Sequence, residues 1–421
     1  MSDSASGSTA PLHLFDAVGV EIELMLVDQK TLNVLPKSDA VLAAAADGAP
    51  ASEVEMGELV WSNELVLHVL ELKSNGPAPD LDALLEPFER DIRRAQELLE
   101  PLGGQLLGTA MHPWMDPARE THLWPHEYGQ VYRAYHRIFN CQGHGWSNLQ
   151  SLHLNLPFAG DDEFGRLHAA IRLILPLLPA LAASSPLMDA KLTPWLDSRL
   201  EVYRTNQERL PQLTGAVIPE PVFTADAYRR RIFDPMLEAI APHDPEGILR
   251  GEFLNSRGAI ARFDRGSIEI RLLDVQECPR ADLAIATLVV SVLKHLVEET
   301  WSSYEDQQAF EVEPLAALLR RTITEADQAR IHNPDLLAAF GVSHKTTMRA
   351  GELWQYLLEE IYADAGAPKE TWRDLLEEML ELGPLARRIR RALPQEPTKG
   401  NLLEVYGELA RCLAEGELFV P

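Results

Sequence analysis

Four short segments carry polar residues two positions apart, a spacing that puts both side chains on one face of a β-strand. They are Glu21 with Glu23, Glu71 with Lys73, His153 with Asn155, and Glu269 with Arg271. Their neighbours Val20, Ile22, Leu24, Leu70, Leu72, Leu152, Leu154, Ile268, Ile270 and Leu272 point the other way. One such pair reads as the solvated face of a half-buried sheet. Four pairs rich in carboxylates, with an imidazole on one strand, read differently, because clustered Glu side chains repel one another unless cations bind among them. An oxygen-rich, cysteine-free ligand set favours Mg²⁺ or Mn²⁺ over zinc.

The elements that must carry these pairs follow from hydrophobic period. Alternation and β-branched residues predict strands over 18–28, 59–73, 105–108, 149–157, 259–263 and 267–273, the last two joined by the Asp264-Arg265-Gly266 turn. Helical spacing places Leu81, Leu84, Leu85, Phe88, Ile92 and Leu98 on one helix behind an N-cap at Asp80. A helix over 283–296 is apolar nearly all round and therefore buried. After about Thr300 the strand signals stop, and helical patterns follow near 314–329, 349–363, 369–382 and 401–414. The fold class is α+β: a largely antiparallel sheet with one polar face, helices on the other face, and a helical C-terminal third.

Composition narrows the partners. The 421 residues include 38 Lys plus Arg against 64 Asp plus Glu, a net charge of −26, which argues against nucleic acid and anionic membranes. At 46% hydrophobic and 24% charged, the chain can bury a substantial core. Cys141, Cys278 and Cys412 lie far apart and form neither a metal spacing nor a disulfide framework. The polar residues 1–12 read as a disordered leader, no apolar stretch is long enough to span a bilayer, and the whole reads as cytoplasmic. A phosphate-binding P-loop, HExxH and GxSxG are all missing. His112, His122, His126, His136 and His144 fit no compact ligand set and are expected in scattered surface or capping roles, and the tryptophans in the core.

Against this background the Gly19-Val20-Glu21-Ile22-Glu23 strand resembles the opening of type 2 glutamate-cysteine ligases and their carboxylate-amine ligase relatives, which are similar to glutamine synthetase in fold. Further matches keep the family's order: Glu64 with Glu71, Gly108 to Pro113, Gln150 to Leu156, Ala182 to Pro186 with Ser198-Arg199, and Ser267 to Asp274. Glu64, Leu67, Lys73, Asn155 and Pro157 depart from the family's usual residues.

The resemblance implies a catalytic domain over 13–300 with the helical region 301–421 packed on it. It implies Mg²⁺ or Mn²⁺ held by Glu21, Glu23, Glu64, Glu71, His153 and Glu269, and ATP contacted by Arg271 and Arg262. Arg199 would anchor a substrate carboxylate with Asn155 nearby, and Lys73 or Arg271 would stabilise an oxyanion. The implied reaction is ATP-dependent ligation of a carboxylate to an amine through an acyl phosphate, with small-molecule substrates; a homo-oligomer would be unsurprising. Two other readings stay open: a metal-dependent amidohydrolase or phosphotransferase using the same carboxylates, and a binding protein that retains the ligase shell.

Overall fold

Alternating side chains along Gly19–Asp28 (β1) place Val20, Ile22 and Leu24 in the core, each no more than 1% exposed, while Glu21 and Glu23 face the opposite way. In the computed structural model, which describes residues 11–249 and 251–421, β1 is the hub of an antiparallel sheet. Its other strands are β2 (Glu53–Glu55), β3 (Leu59–Asn63), β4 (Val69–Ser74), β5 (Gly104–Leu107), β6 (Ser151–Pro157), β7 (Ala259–Arg262) and β8 (Ser267–Asp274), in the order β2-β3-β4-β1-β6-β8-β7. One edge of β1 pairs with β4, and the other is shared: β6 takes Gly19–Ile22 and β5 takes Met25–Asp28. Register aligns the faces, setting Ile22 opposite Leu72 and Val20 opposite Leu154 on the apolar side.

The expected strand over 59–73 is two strands and a reversal. Leu59 pairs with Ser74 and Asn63 with Leu70, so the chain folds back through residues 64–68, and Glu64 sits in that connection. No Gly or Pro marks the reversal, which is why alternation runs across it unnoticed.

Helices cover the apolar face. The expected cap works one turn early: Asp80 Oδ1 accepts from the Ala83 N–H at 2.9 Å and starts a 3₁₀ turn that feeds α1 (Leu85–Leu99). The buried helix is α2 (Pro279–Val297), longer at both ends than its apolar stretch because Pro279 suits the first turn. Beyond residue 300 come α3 (Val312–Glu325), α4 (Ala350–Ala363), α5 (Glu370–Leu382), α6 (Leu385–Ala392) and α7 (Lys399–Glu415), with a two-residue ladder, Arg330–Ile331 against Met348–Arg349, that the sequence reading leaves out. Leu315, Leu353, Trp354 and Leu376 share one apolar cluster with Ile22, Leu72 and Leu154.

All three cysteines are free and buried. Among the described residues no helix is long and apolar enough to cross a membrane. The expected leader lies, apart from residues 11 and 12, outside the described residues.

Candidate active site

Register brings the four polar pairs onto one face: Glu21 lies opposite both Lys73 and His153, Glu23 opposite Glu71, and Asn155 opposite Glu269. Two groups of potential ligands result, Glu21-His153-Glu269 and Glu23-Glu71-His153, each with its ligand atoms within 4.8 Å of one another. His153 is common to both. Its Nδ1 lies 3.2 Å from Glu21 Oε2 and 3.9 Å from Glu269 Oε1, and its Nε2 lies 2.9 Å from Ser151 Oγ. Ser151 in turn donates through its N–H (2.7 Å) and hydroxyl (2.8 Å) to Glu23 Oε2.

The electrostatics are those of crowded anions with few cations. Burial would raise the Glu21 carboxyl, but the hydrogen bond and charge of His153, with Lys73 and Asn155, hold it at about 2. Burial and the charge on Glu21 push Glu71 up to about 7, against the pull of Lys73 and of Ser62, whose hydroxyl donates to Glu71 Oε2 at 2.5 Å. Burial works to lower the His153 imidazole, yet Glu21 and Glu23 leave its pKa raised. Carboxylate oxygens with one imidazole, closely spaced and mutually repelling, suit a hard divalent cation.

Of the six expected metal ligands, Glu64 is the one outside both groups. It hangs off the end of β3, where burial and the charges of Glu71 and Glu23 raise its carboxyl well above the usual range. The cations are engaged too. Lys73 Nζ reaches Glu53 at 3.0 Å and Glu71 at 3.4 Å, while Arg271 Nε and Arg262 Nη1 converge on Glu269 at 3.0 and 3.3 Å. Asn155 Nδ2 donates to Glu21 Oε1 at 2.9 Å, which fixes that carboxylate.

Arg199 is no surface ion pair. It is 2% exposed, and its guanidinium meets Asp274 Oδ1 at 3.2 Å and the Arg271 carbonyl at 2.8 Å. The site residues that sequence reasoning passes over are Ser62, Ser151 and Tyr132. Ser151 completes the Ser151-His153-Asn155 alternation and was open to the same argument; Ser62 faces Glu71 only once the reversal after Asn63 is known. Tyr132, hydrogen-bonded to Asn63 Nδ2 at 3.1 Å, has no signal in the sequence. A cavity of about 940 Å³ opens beside Glu71 and Lys73, lined also by Ser62, Asn63, Tyr132 and Arg265 of the β7–β8 turn.

Of the scattered histidines, His112 is a correction: it is buried, hydrogen-bonded to the Leu32 carbonyl at 2.7 Å, and desolvation lowers it to about 3.

Comparison with known proteins agrees with this architecture. The model of glutamate-cysteine ligase family 2 matches residues 17–407. An uncharacterized protein of Archaeoglobus fulgidus is 30% identical over 410 residues, covering 96% of this chain and 100% of that protein. A Streptomyces avermitilis protein provisionally named glutamate–cysteine ligase 2-1 is 26% identical over 405 residues, covering 94% and 98%. The crystal structure of a glutamate–cysteine ligase from Francisella tularensis, solved in complex with AMP, superposes with a TM-score of 0.59 at 14% identity, over 96% of this chain and 90% of that one. By class the protein is a carboxylate–amine ligase. The chain belongs to glutamate-cysteine ligase family 2.

Proposed function

We propose that the protein uses ATP to join a carboxylate to an amine as a γ-glutamyl-type amide, at the polar face of the sheet. The observation that carries this reading is the pair of ligand groups sharing His153, a site for hard divalent cations without any phosphate loop. Glu21, Glu23, Glu71, His153 and Glu269 would hold Mg²⁺ or Mn²⁺, with Glu64 at the margin. Mg²⁺ there would spread the negative charge that develops as the phosphoryl group moves.

In the first step a donor carboxylate oxygen attacks the γ-phosphorus, the bond to the β,γ-bridging oxygen breaks, and ADP leaves. Arg271 and Arg262, which converge on Glu269, would face that charge. In the second step the amine nitrogen attacks the acyl carbon, the carbon–oxygen bond to phosphate breaks, and the amine proton passes to phosphate or water. Lys73, beside the cavity, suits the oxyanion of that step. Asn155 and Arg199 act through others, Asn155 by orienting Glu21 and Arg199 by holding the Arg271 backbone.

The test is a screen for ADP release with ATP, Mg²⁺ and paired amino acids, with products read by mass. A pair whose product weighs the sum of both less one water supports ligation. Hydrolysis of an amide without ATP, or no turnover with any pair, overturns it.

A further inference from the structure

The cavity of about 940 Å³ runs from the buried Glu71 to an open mouth at the exposed Glu127 and Tyr128, and its volume suits a small substrate. Its wall is acidic. Asp39 of the helix Ser38–Ala45, Glu53 of β2 and Glu127 line it with Glu71, four carboxyl groups against two permanent cations, Lys73 and Arg265. The two do not neutralise the four. Lys73 Nζ is shared between Glu53 and Glu71, at 3.0 and 3.4 Å, and Arg265 has Asp264 beside it at 4.0 Å. Asp39 pairs with the His126 imidazole alone, at 3.5 Å, and Glu127 has no ion pair among the described residues.

A second observation points the same way. Asn63, 8% exposed, spends its Nδ2 on the Glu64 carbonyl and the Tyr132 hydroxyl oxygen, both at 3.1 Å, which leaves its Oδ1 without a partner among the described residues. That oxygen is not sealed from solvent, and the space that Asn63 lines is this cavity. An acceptor so nearly buried calls for a donor. Tyr128, 57% exposed, and Tyr132 of the helix Gly129–Phe139 add two aromatic rings. Unshared carboxylates, an open amide oxygen and tyrosine rings are the chemistry that receives an organic ammonium ion, whereas a hard metal ion has no use for the rings.

Resting on the ligase reading above, we propose that the acceptor amine is an aliphatic diamine. One nitrogen attacks the acyl carbon near Lys73, and the other, as an ammonium, sits among Asp39, Glu127, Asn63, Tyr128 and Tyr132. The attacking nitrogen is uncharged. Its bond to the acyl carbon forms, the carbon–oxygen bond to phosphate breaks, and its proton passes to phosphate or water. The ammonium end takes no part in the chemistry and holds the chain of the diamine in place.

The probe is 1,4-diaminobutane, titrated into the full-length protein by calorimetry in saturating Mg²⁺, then supplied with ATP and each amino-acid donor and the products read by mass. Saturable binding about tenfold tighter than for butylamine or 4-aminobutyrate is expected, with an amide formed from the diamine. Glu127→Gln and Asp39→Asn should each weaken binding about threefold and Tyr132→Leu about tenfold, while Arg265→Gln, which removes a repelling charge, should tighten it. Butylamine bound as tightly as the diamine, affinity indifferent to all four substitutions, or binding seen only without Mg²⁺ would each overturn the assignment, the last by giving the mouth to a metal ion. Amides formed with other amines and never with the diamine would overturn it and spare the ligase reading. Diamine bound as expected with no amide from any donor would do the reverse, sinking the ligase reading and supporting the ammonium site.

Discussion

Arg199 Nη2 donates to the carbonyl oxygen of Arg271 at 2.8 Å, at the point where β8 slips register against β6. Ile270 faces Leu154 but Leu273 faces Leu152, so Arg271 and Leu272 occupy the space of one residue, and a bulge re-aims what it carries. The other arm of Arg199 is fixed on Asp274, itself held by Ser184 and Ser185. One buried side chain thus spans the bulge that presents Arg271.

Arg199→Lys should therefore act on turnover. Lysine keeps the charge beside Asp274 but cannot bridge both acceptors. With the fold retained, kcat should fall about 10- to 100-fold as Arg271 drifts, with donor KM within about twofold. A large rise in donor KM at constant kcat would instead assign Arg199 to anchoring the substrate. Arg199→Ala, which strands a buried carboxylate, should cost about 3–5 kcal/mol of stability.

Divalent cation should stabilise the protein through the sheet face. At 100 times its dissociation constant, Mg²⁺ is expected to add about 2.7 kcal/mol to unfolding free energy. In Glu21→Gln and in His153→Ala the gain should vanish while the circular dichroism spectrum stays unchanged. An equal Mg²⁺ effect in both variants would remove these residues from the metal shell.

Glu71 gives a pH signature in metal-free protein. Burial and the Glu21 charge push its folded carboxyl up to about 7 from the ordinary 4.5, so from pH 4.5 to 7 the unfolded chain ionises this group while the folded chain resists. Stability is thus lost as pH rises across that window, by roughly 3 kcal/mol at most. Urea titrations of wild type and Glu71→Gln at pH 4.5 and 7 should show the loss shrinking in the variant. Parallel curves would mean that Glu71 ionises freely in the fold.

His168 predicts the opposite slope. Burial against Phe164 and Tyr228 lowers its imidazole to about 3 from the ordinary 6.5. Below pH 6.5 the unfolded chain takes up a proton that the folded chain refuses, so stability falls as pH drops. Between pH 7 and 5 the wild type should lose about 2 kcal/mol relative to His168→Leu. A constant difference between the two proteins over that range would contradict it.

Glycine 108 is the last test. A Cβ there would lie 2.6 Å from the Gln276 carbonyl oxygen, a backbone atom with no freedom to yield. Gly108→Ala should cost about 1–3 kcal/mol in thermal unfolding even though the residue carries no chemistry. An unchanged melting temperature would show that the backbone between β5 and α2 is softer than its packing implies.

The polar face was legible because strand period is a local property: Glu21, Glu23, His153, Asn155 and Glu269 announce it through alternation alone. What stayed hidden depends on partners distant in sequence. The reversal that sets Glu64 apart from Glu71 lacks a turn residue, and its evidence is the pairing of Asn63 with Leu70. The bulge at Arg271 carries no glycine and arises from register with β6. Arg199 looks like any helix arginine until Asp274, 75 residues later, is folded against it. His112 reads as polar surface because nothing nearby foretells the Leu32 carbonyl, 80 residues away.

The shared edge of β1 also bears on how the molecule comes into being. Residues 19–28 take their partners from 69–73, 104–107 and 152–155, and β6 waits in turn for 267–274. Each pairing closes a long loop before any contact rewards it, the circumstance that slows folding. On the ribosome, the Gly19–Ile22 half of the first strand's shared edge must therefore wait unpaired until well over a hundred residues have followed it. The carboxylate face cannot close until β8 has emerged, when about two thirds of the chain has been made. Before β4, β5 and β6 emerge, β1 is a largely apolar strand with open edges, the kind of segment that chaperones shield from aggregation.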